Sequence, residues 1–189
     1  MSDTAVDIGP QARIVARLAD AVREDQLGLP TPCPDYAVRE LLGHLVGLSA
    51  GLRAAGRKES EGASPGPGRP ELGPDWRAAL PKALDELVAT WRQPAAWQGM
   101  TRAGGLDLPG AVAGLVTADE LVVHGWDLAR ATGQKYTPDE AALRAARELL
   151  EPDEGGRDGL FGPVVPVPED APLLDRVIGL SGRDPAWTP

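Results

Sequence analysis

Two polar residues in an apolar stretch carry the chemistry of this sequence. The segment Thr117-Ala-Asp-Glu-Leu-Val-Val-His-Gly-Trp-Asp-Leu128 places Glu120 and His124 four apart, one helical turn from each other on one side. Val116, Leu121, Val122, Val123, Trp126 and Leu128 leave that helix little solvated surface. A carboxylate and an imidazole buried there are costly unless each is paired or holds a metal. The chain has 2 histidines, and the other, His44, lies on the same side as Leu41 and Leu48 in a second apolar helical stretch. His44, Glu120 and His124, brought together from facing helices, would hold a divalent ion in a bundle core and leave a coordination position for water or substrate. Imidazole and carboxylate donors suit zinc, and also nickel, iron or manganese. The plainer alternative is a half-solvated i, i+4 pair worth about 0.2–0.5 kcal/mol, with His44 as a hydrogen-bonded core residue. Apolar flanks on both helices, and no Lys or Arg beside Glu120 on its helix face, favour the metal.

Neighbouring residues have two readings each. Asp127 either orients a ligand imidazole through its second nitrogen or bonds a nearby chain segment. Trp97 and Trp126 either line a pocket mouth or fill the core. Cys33, between two prolines, is either a thiol near the site or a small buried hydrophobe. Arg92, Arg102 and Arg130 either receive an anionic substrate or solvate the surface.

The elements that must position these residues are helical. Positions 14, 15, 18, 21 and 22 make one apolar face of a first helix from about Pro10 to Glu24. The Pro-rich run 28–34 is a stiff connection, and Asp35 stands as an N-cap for a second helix reaching about Gly56. Gly43 and Gly47 flank His44 and imply close approach of a neighbouring helix. Residues 57–74 read as a mobile loop. Trp76, Leu80, Leu84, Leu87 and Trp91 form the stripe of a third helix from about Asp75 to Trp91, with Pro81 as a kink or a true start. Residues 93–107 read as irregular, with Gly104-Gly105 as a turn. A fourth helix opens at Pro109, carries Glu120 and His124, and stops before Gly133. Thr137-Pro-Asp-Glu140 reads as a capping box for a fifth helix ending before Pro152. These elements imply an all-α four-helix bundle with an extra helix, spanning 1–152. The segment 153–189 is expected to be a C-terminal tail with a short helix capped by Asp170, docked on the bundle.

Composition sets the outer limits. With 42% hydrophobic residues but only 1 Phe and 2 Tyr, the core must be mostly Leu, Val and Ala. A net charge of -9 argues against nucleic acid and anionic membrane surfaces as partners. No apolar run nears the roughly 20 residues that span a bilayer. The acidic N-terminus lacks a signal-peptide layout, and a single cysteine excludes an internal disulfide, so a cytoplasmic setting is expected.

Thr31-Pro-Cys-Pro-Asp-Tyr-Ala-Val-Arg-Glu-Leu-Leu-Gly-His44 resembles the Pro-rich approach and His-bearing helix of the mycothiol-dependent maleylpyruvate isomerase family. That family lies within the DinB/YfiT-like superfamily of metal-binding four-helix bundles. Asp119-Glu-Leu-Val-Val-His-Gly-Trp-Asp-Leu128 resembles its Glu-x-x-x-His segment. The resemblance covers about 8–152 and implies His44, Glu120 and His124 as ligands of a divalent metal, usually zinc, facing a pocket. The stretch from Phe161 to Trp187 is similar to the tail of a subgroup described only as metal-binding. The isomerase has a separate C-terminal domain that contributes to its active site, whereas here the remainder is 153–189. The resemblance therefore implies a broader class, thiol-dependent transferases or isomerases, with mycothiol as cosubstrate and a small electrophile as substrate. Two other functions stay open. One is a zinc-hydroxide hydrolase. The other is a non-catalytic metal- or ligand-binding protein, dimeric through its apolar tail.

Overall fold

The structure is a computed structural model that describes residues 5–59, 70–151 and 163–189. Most of the expected 57–74 loop and the expected linker at 154–159 lie outside the described residues. Helix α1 spans Gly9–Asp20, α2 Val38–Gly56 and α3 Trp76–Trp91. A hairpin follows, β1 Met100–Ala103 and β2 Leu106–Pro109, then α4 Gly110–Thr132, α5 Glu140–Leu150 and α6 Leu173–Leu180. Helix α2 packs on α3, α3 on α1, α1 on α4 and α4 on α2, which closes a four-helix ring. The ring makes α2 and α4 neighbours, as a site shared between them requires. Helix α5 lies outside against α4, and α6 against α5.

Apolar stripes drive this arrangement. Val15, Leu41, Leu42, Leu45, Leu80, Leu121, Val122 and Leu128 are fully buried where the four helices meet. Each such Leu contributes about 2 kcal/mol by leaving water. The α3 stripe from Trp76 to Trp91 is buried throughout, and the helix runs through Pro81, which sits on the exposed side. Its missing N–H therefore withdraws a bond from the solvated face rather than the core.

Several boundaries differ from the sequence expectation, each for a local reason. Helix α1 stops at Asp20, and Glu24–Gln26 form a short 3₁₀ turn because the Gln26 side chain accepts from the Arg23 N–H at 3.0 Å. Helix α2 is preceded by Ala37 rather than Asp35; Glu40 Oε2 accepts the Ala37 N–H at 3.0 Å. The α5 cap is Asp139, not Thr137: its carboxylate accepts from the Ala142 N–H at 3.0 Å, and its own N–H goes to Gln11 Oε1 at 2.9 Å. Pro172, not Asp170, directly precedes α6. The segment expected to be irregular holds the hairpin, with Met100 opposite Pro109 and Ala103 opposite Leu106. Gly104 and Gly105, with φ of 58° and 83°, supply the two positive-φ positions of its tight turn. Thr101 Oγ1 donates to the Ala55 carbonyl at 2.6 Å and ties the hairpin to the end of α2.

Trp97 shows how closely α4 is covered. Its indole N–H donates to the Trp91 carbonyl at 2.7 Å, and a Cβ at Gly114 would stand 2.2 Å from its ring. Gly114→Ala is expected to destabilise the protein by about 1–3 kcal/mol through overpacking. Urea unfolding should show a lower midpoint at unchanged slope; an unchanged midpoint would mean that Trp97 is free to move aside.

Candidate metal centre between α2 and α4

Local contacts fix both helices that face the site. The Pro-rich approach is held by the Thr31 hydroxyl, which lies 2.7 Å from the Tyr36 carbonyl, and by the Val38 N–H donating to the Leu29 carbonyl at 3.0 Å. This places the Tyr36 ring 5.1 Å from the His44 ring, between centroids. Beside His44, the backbone of Glu71 and Leu72 crosses α2, and a Cβ at Gly43 would stand 2.8 Å from the Glu71 carbonyl oxygen. The close approach at Gly43 is thus by a non-helical segment, not by a helix. On α4, Gln11 Nε2 donates to the Leu121 carbonyl at 2.9 Å, and the Tyr136 hydroxyl donates to the Val122 carbonyl at 2.7 Å. Gly125 lets Tyr136 pass, since a Cβ there would lie 3.1 Å from its hydroxyl. These bonds set the rotation of α4 one turn around Glu120 and His124.

The three side chains named from the sequence converge. Glu120 Oε2 lies 3.0 Å from His124 Nε2 and 3.7 Å from His44 Nε2. One ligand atom from each residue lies within 4.8 Å of the others, and the imidazoles meet edge to face at 4.8 Å between centroids. Ligands at about 2.0–2.2 Å from a tetrahedral zinc stand roughly 3.3 Å apart, so small side-chain shifts would satisfy that geometry. The second nitrogen of His124 is taken: Nδ1 lies 2.9 Å from Asp127 Oδ2. Asp127 is fully buried. An imidazole held this way keeps its proton on Nδ1, so that once the Nε2 proton is lost the Nε2 lone pair faces the cluster. The donor set and its orientation fit a divalent metal.

The charges of the metal-free cluster follow from these contacts. Burial works against an imidazolium at His124, but its hydrogen bonds to Asp127 and Glu120 outweigh burial and push its pKa up to about 9. Burial likewise opposes the Glu120 carboxylate, yet His124 and His44 hold it well below the usual carboxylate range. Burial, and then the Asp127 charge, push the Cys33 thiol up.

The other residues singled out from the sequence sit apart from this cluster. Arg92 pairs with Asp7 at 3.2 Å and Arg102 with Asp107 at 3.6 Å, both on exposed surface. Arg130 donates to the Pro185 carbonyl at 3.2 Å and to the Trp187 carbonyl, and lies over the Trp126 ring at 5.6 Å. Trp97 packs edge to face on Trp91 at 5.3 Å. Two residues with no role assigned from the sequence do reach the cluster. The Tyr36 ring packs at a tilt against His44, and Arg183 donates to Asp127 Oδ2 at 3.2 Å. Tyr36 had a signal, as one of 2 tyrosines and part of the motif before His44. Arg183 had none.

The pH dependence of the metal-free protein follows. The folded pKa of His124 is raised, so its contribution is complete below its ordinary value near 6.5 and is lost as pH rises through about 9. The Glu120 pKa is depressed, so its contribution is present above 4.5 and declines in more acidic solution. In a chelator, stability should fall by on the order of 2 kcal/mol between pH 6.5 and 9. His124→Gln should flatten that limb in urea titrations; an equal slope in the variant would contradict the assignment.

Comparison with known proteins places the chain. The family model described as the mycothiol maleylpyruvate isomerase N-terminal domain matches residues 8–129. Uncharacterized proteins MT0763 and Rv0738 of Mycobacterium tuberculosis are each 35% identical over 173 residues, covering 89% of this chain and 91% of theirs. Among solved structures, the mycothiol-dependent maleylpyruvate isomerase aligns with a TM-score of 0.57 at 16% identity, over 74% of this chain. A mutant of that enzyme aligns with a TM-score of 0.51 at 15% identity, again over 74% of this chain. Those alignments establish a shared fold, and this chain spans 65% of the isomerase chain in each. The chain belongs to the mycothiol maleylpyruvate isomerase N-terminal domain family.

Proposed function

We propose that His44, Glu120 and His124 hold one divalent metal ion, zinc or else nickel, and that the protein joins a small thiol of the mycothiol class to a small electrophile. The observation that carries this reading is the convergence of three ligand-type side chains from α2 and α4, all inside the segment matched by the family model. A bound metal would lower the pKa of a thiol and offer its sulfur a coordination position.

The remaining roles belong to the chain itself. Asp127 orients His124 so that Nε2 is the donor. Glu120, with 27% of its side chain exposed, marks the side from which a ligand arrives. Tyr36 packs its ring against that of His44. Cys33 is buried and held as a thiol, so the reacting sulfur comes from a second molecule. A hydrolase would need a base for water, and Asp127 is buried and engaged by His124 and Arg183. The net charge of -9 agrees with a small-molecule partner rather than nucleic acid. Among the described residues no helix is long and apolar enough to cross a membrane, and we place the protein in the cytoplasm.

Zinc-reconstituted protein should hold on the order of one equivalent of metal by elemental analysis, and His44→Ala and His124→Ala well under half of that. Substoichiometric metal in the unmutated protein would overturn the proposal. Affinity should rise with pH toward about 9, because the metal displaces the Nε2 proton of His124. In the cobalt-substituted protein, mycothiol should raise a sulfur-to-cobalt charge-transfer band. No band, with ester or amide turnover, would point to the hydrolase; silence in both assays would point to a non-catalytic binding protein.

A further inference from the structure

The Arg183 contact comes from outside the segment that the family model matches, which ends at residue 129. Its placement is built rather than incidental. Helix α6 ends with the Arg183 N–H donating to the Ile178 carbonyl and the Gly182 N–H to the Gly179 carbonyl, both at 3.1 Å. Gly182, at φ 85°, makes the left-handed turn that this ending needs. A Cβ at Gly179 would stand 2.6 Å from the Val165 carbonyl oxygen, so the extended chain before α6 packs tightly on it. The guanidinium then folds back. One amino group donates to the Ser181 carbonyl at 3.0 Å, and the other to Asp127 Oδ2 at 3.2 Å. Oδ2 is the same oxygen that meets His124 Nδ1 at 2.9 Å. Among the described residues, Asp127 Oδ1 and Arg183 Nε have no hydrogen-bond partner although both atoms are buried. The carboxylate is therefore held through one oxygen, between one imidazole and one guanidinium. Without Arg183 it would be a buried charge with a single partner and freedom to rotate.

We propose that Arg183 is a positioning residue for His124: it fixes and neutralises Asp127, and Asp127 in turn holds His124 with Nδ1 protonated and Nε2 turned toward Glu120 and His44. The C-terminal segment thereby acts on the centre formed by α2 and α4. The part of this inference that concerns metal affinity rests on the metal reading above; the part that concerns the imidazole does not.

The test has two arms on the full chain, using Arg183→Met, Arg183→Lys, Asp127→Asn and the Arg183→Met/Asp127→Asn double variant. The first arm is zinc affinity by chelator competition. Arg183→Met should weaken zinc about 10-fold in the unmutated background and less than about 2-fold beside Asp127→Asn, with Arg183→Lys recovering most of the loss. A role confined to holding the tail down would give the same loss in both backgrounds, and that result would overturn the proposal, as would no loss in either. The second arm is ¹⁵N-histidine NMR of the metal-free protein, with His124 assigned by loss of its signals in His124→Gln. A protected Nδ1–H resonance should be present in the unmutated protein and in Arg183→Lys, and lost or averaged in Arg183→Met. An unchanged resonance in Arg183→Met would overturn the proposal. Should the unmutated protein bind no zinc, the metal reading fails and the NMR arm decides the positioning role alone. If Arg183→Met does not fold, Arg183→Gln takes its place under the same criteria.

Discussion

The structure depends on the placement of one half-buried carboxylate. Glu120 sits on a helix whose surroundings are almost wholly apolar, and a charge there persists only with partners. It has two, the Nε2 atoms of His124 and His44. His124 is its neighbour by helical spacing. His44 is 76 positions away in sequence, and it arrives only because α2 and α4 are adjacent in the ring. Asp127 holds the far side of His124 and Arg183 holds Asp127, so the chain of contacts runs from the bundle axis to the C-terminal segment. The outer polar bonds serve the same end. Gln11 and Tyr136 set the rotation of α4, and the glycines at 43 and 125 admit the segments that pass beside the two histidines.

The sequence made the inner part of this arrangement legible because it is written at short range. Glu120, His124 and Asp127 lie within two helical turns, and their apolar neighbours mark them as facing inward. His44 could be added because the chain has 2 histidines and both lie in apolar helical stretches. The α3 stripe and the stop at Gly133 were legible for the same reason: helical period and a left-handed cap are local properties. Arg183 was not legible. Its partner is 56 positions upstream, and nothing in Gly182-Arg183-Asp184 distinguishes it from a surface arginine. The α5 cap was misplaced by two residues because the Asp139 N–H is taken by Gln11 in α1, a tertiary contact that no capping pattern contains. The hairpin escaped because its strands are four residues each, too short for an alternation to stand out beside the Gly-Gly turn.

Family and fold constrain the chemistry unequally. The match to the isomerase N-terminal domain and the shared fold account for the neighbouring α2 and α4. They do not fix the substrate, because this chain spans 65% of the isomerase chain and the remainder of that enzyme has no counterpart in the alignment. Beyond the matched domain, the segment from 163 to 189 packs beside α5 and reaches the carboxylate behind His124. Asp127 takes His124 Nδ1, which leaves Nε2 facing Glu120.

The central claim is that the three side chains form a metal centre rather than a hydrogen-bonded pair beside a third polar group. Anomalous diffraction at the zinc edge, from crystals grown with zinc, tests it most directly. The account predicts one strong peak at about 2.0–2.2 Å from His44 Nε2, His124 Nε2 and a Glu120 carboxylate oxygen, with Asp127 still on His124 Nδ1. Zinc elsewhere on the surface, with Glu120 and His124 still in direct hydrogen-bond contact, would contradict it.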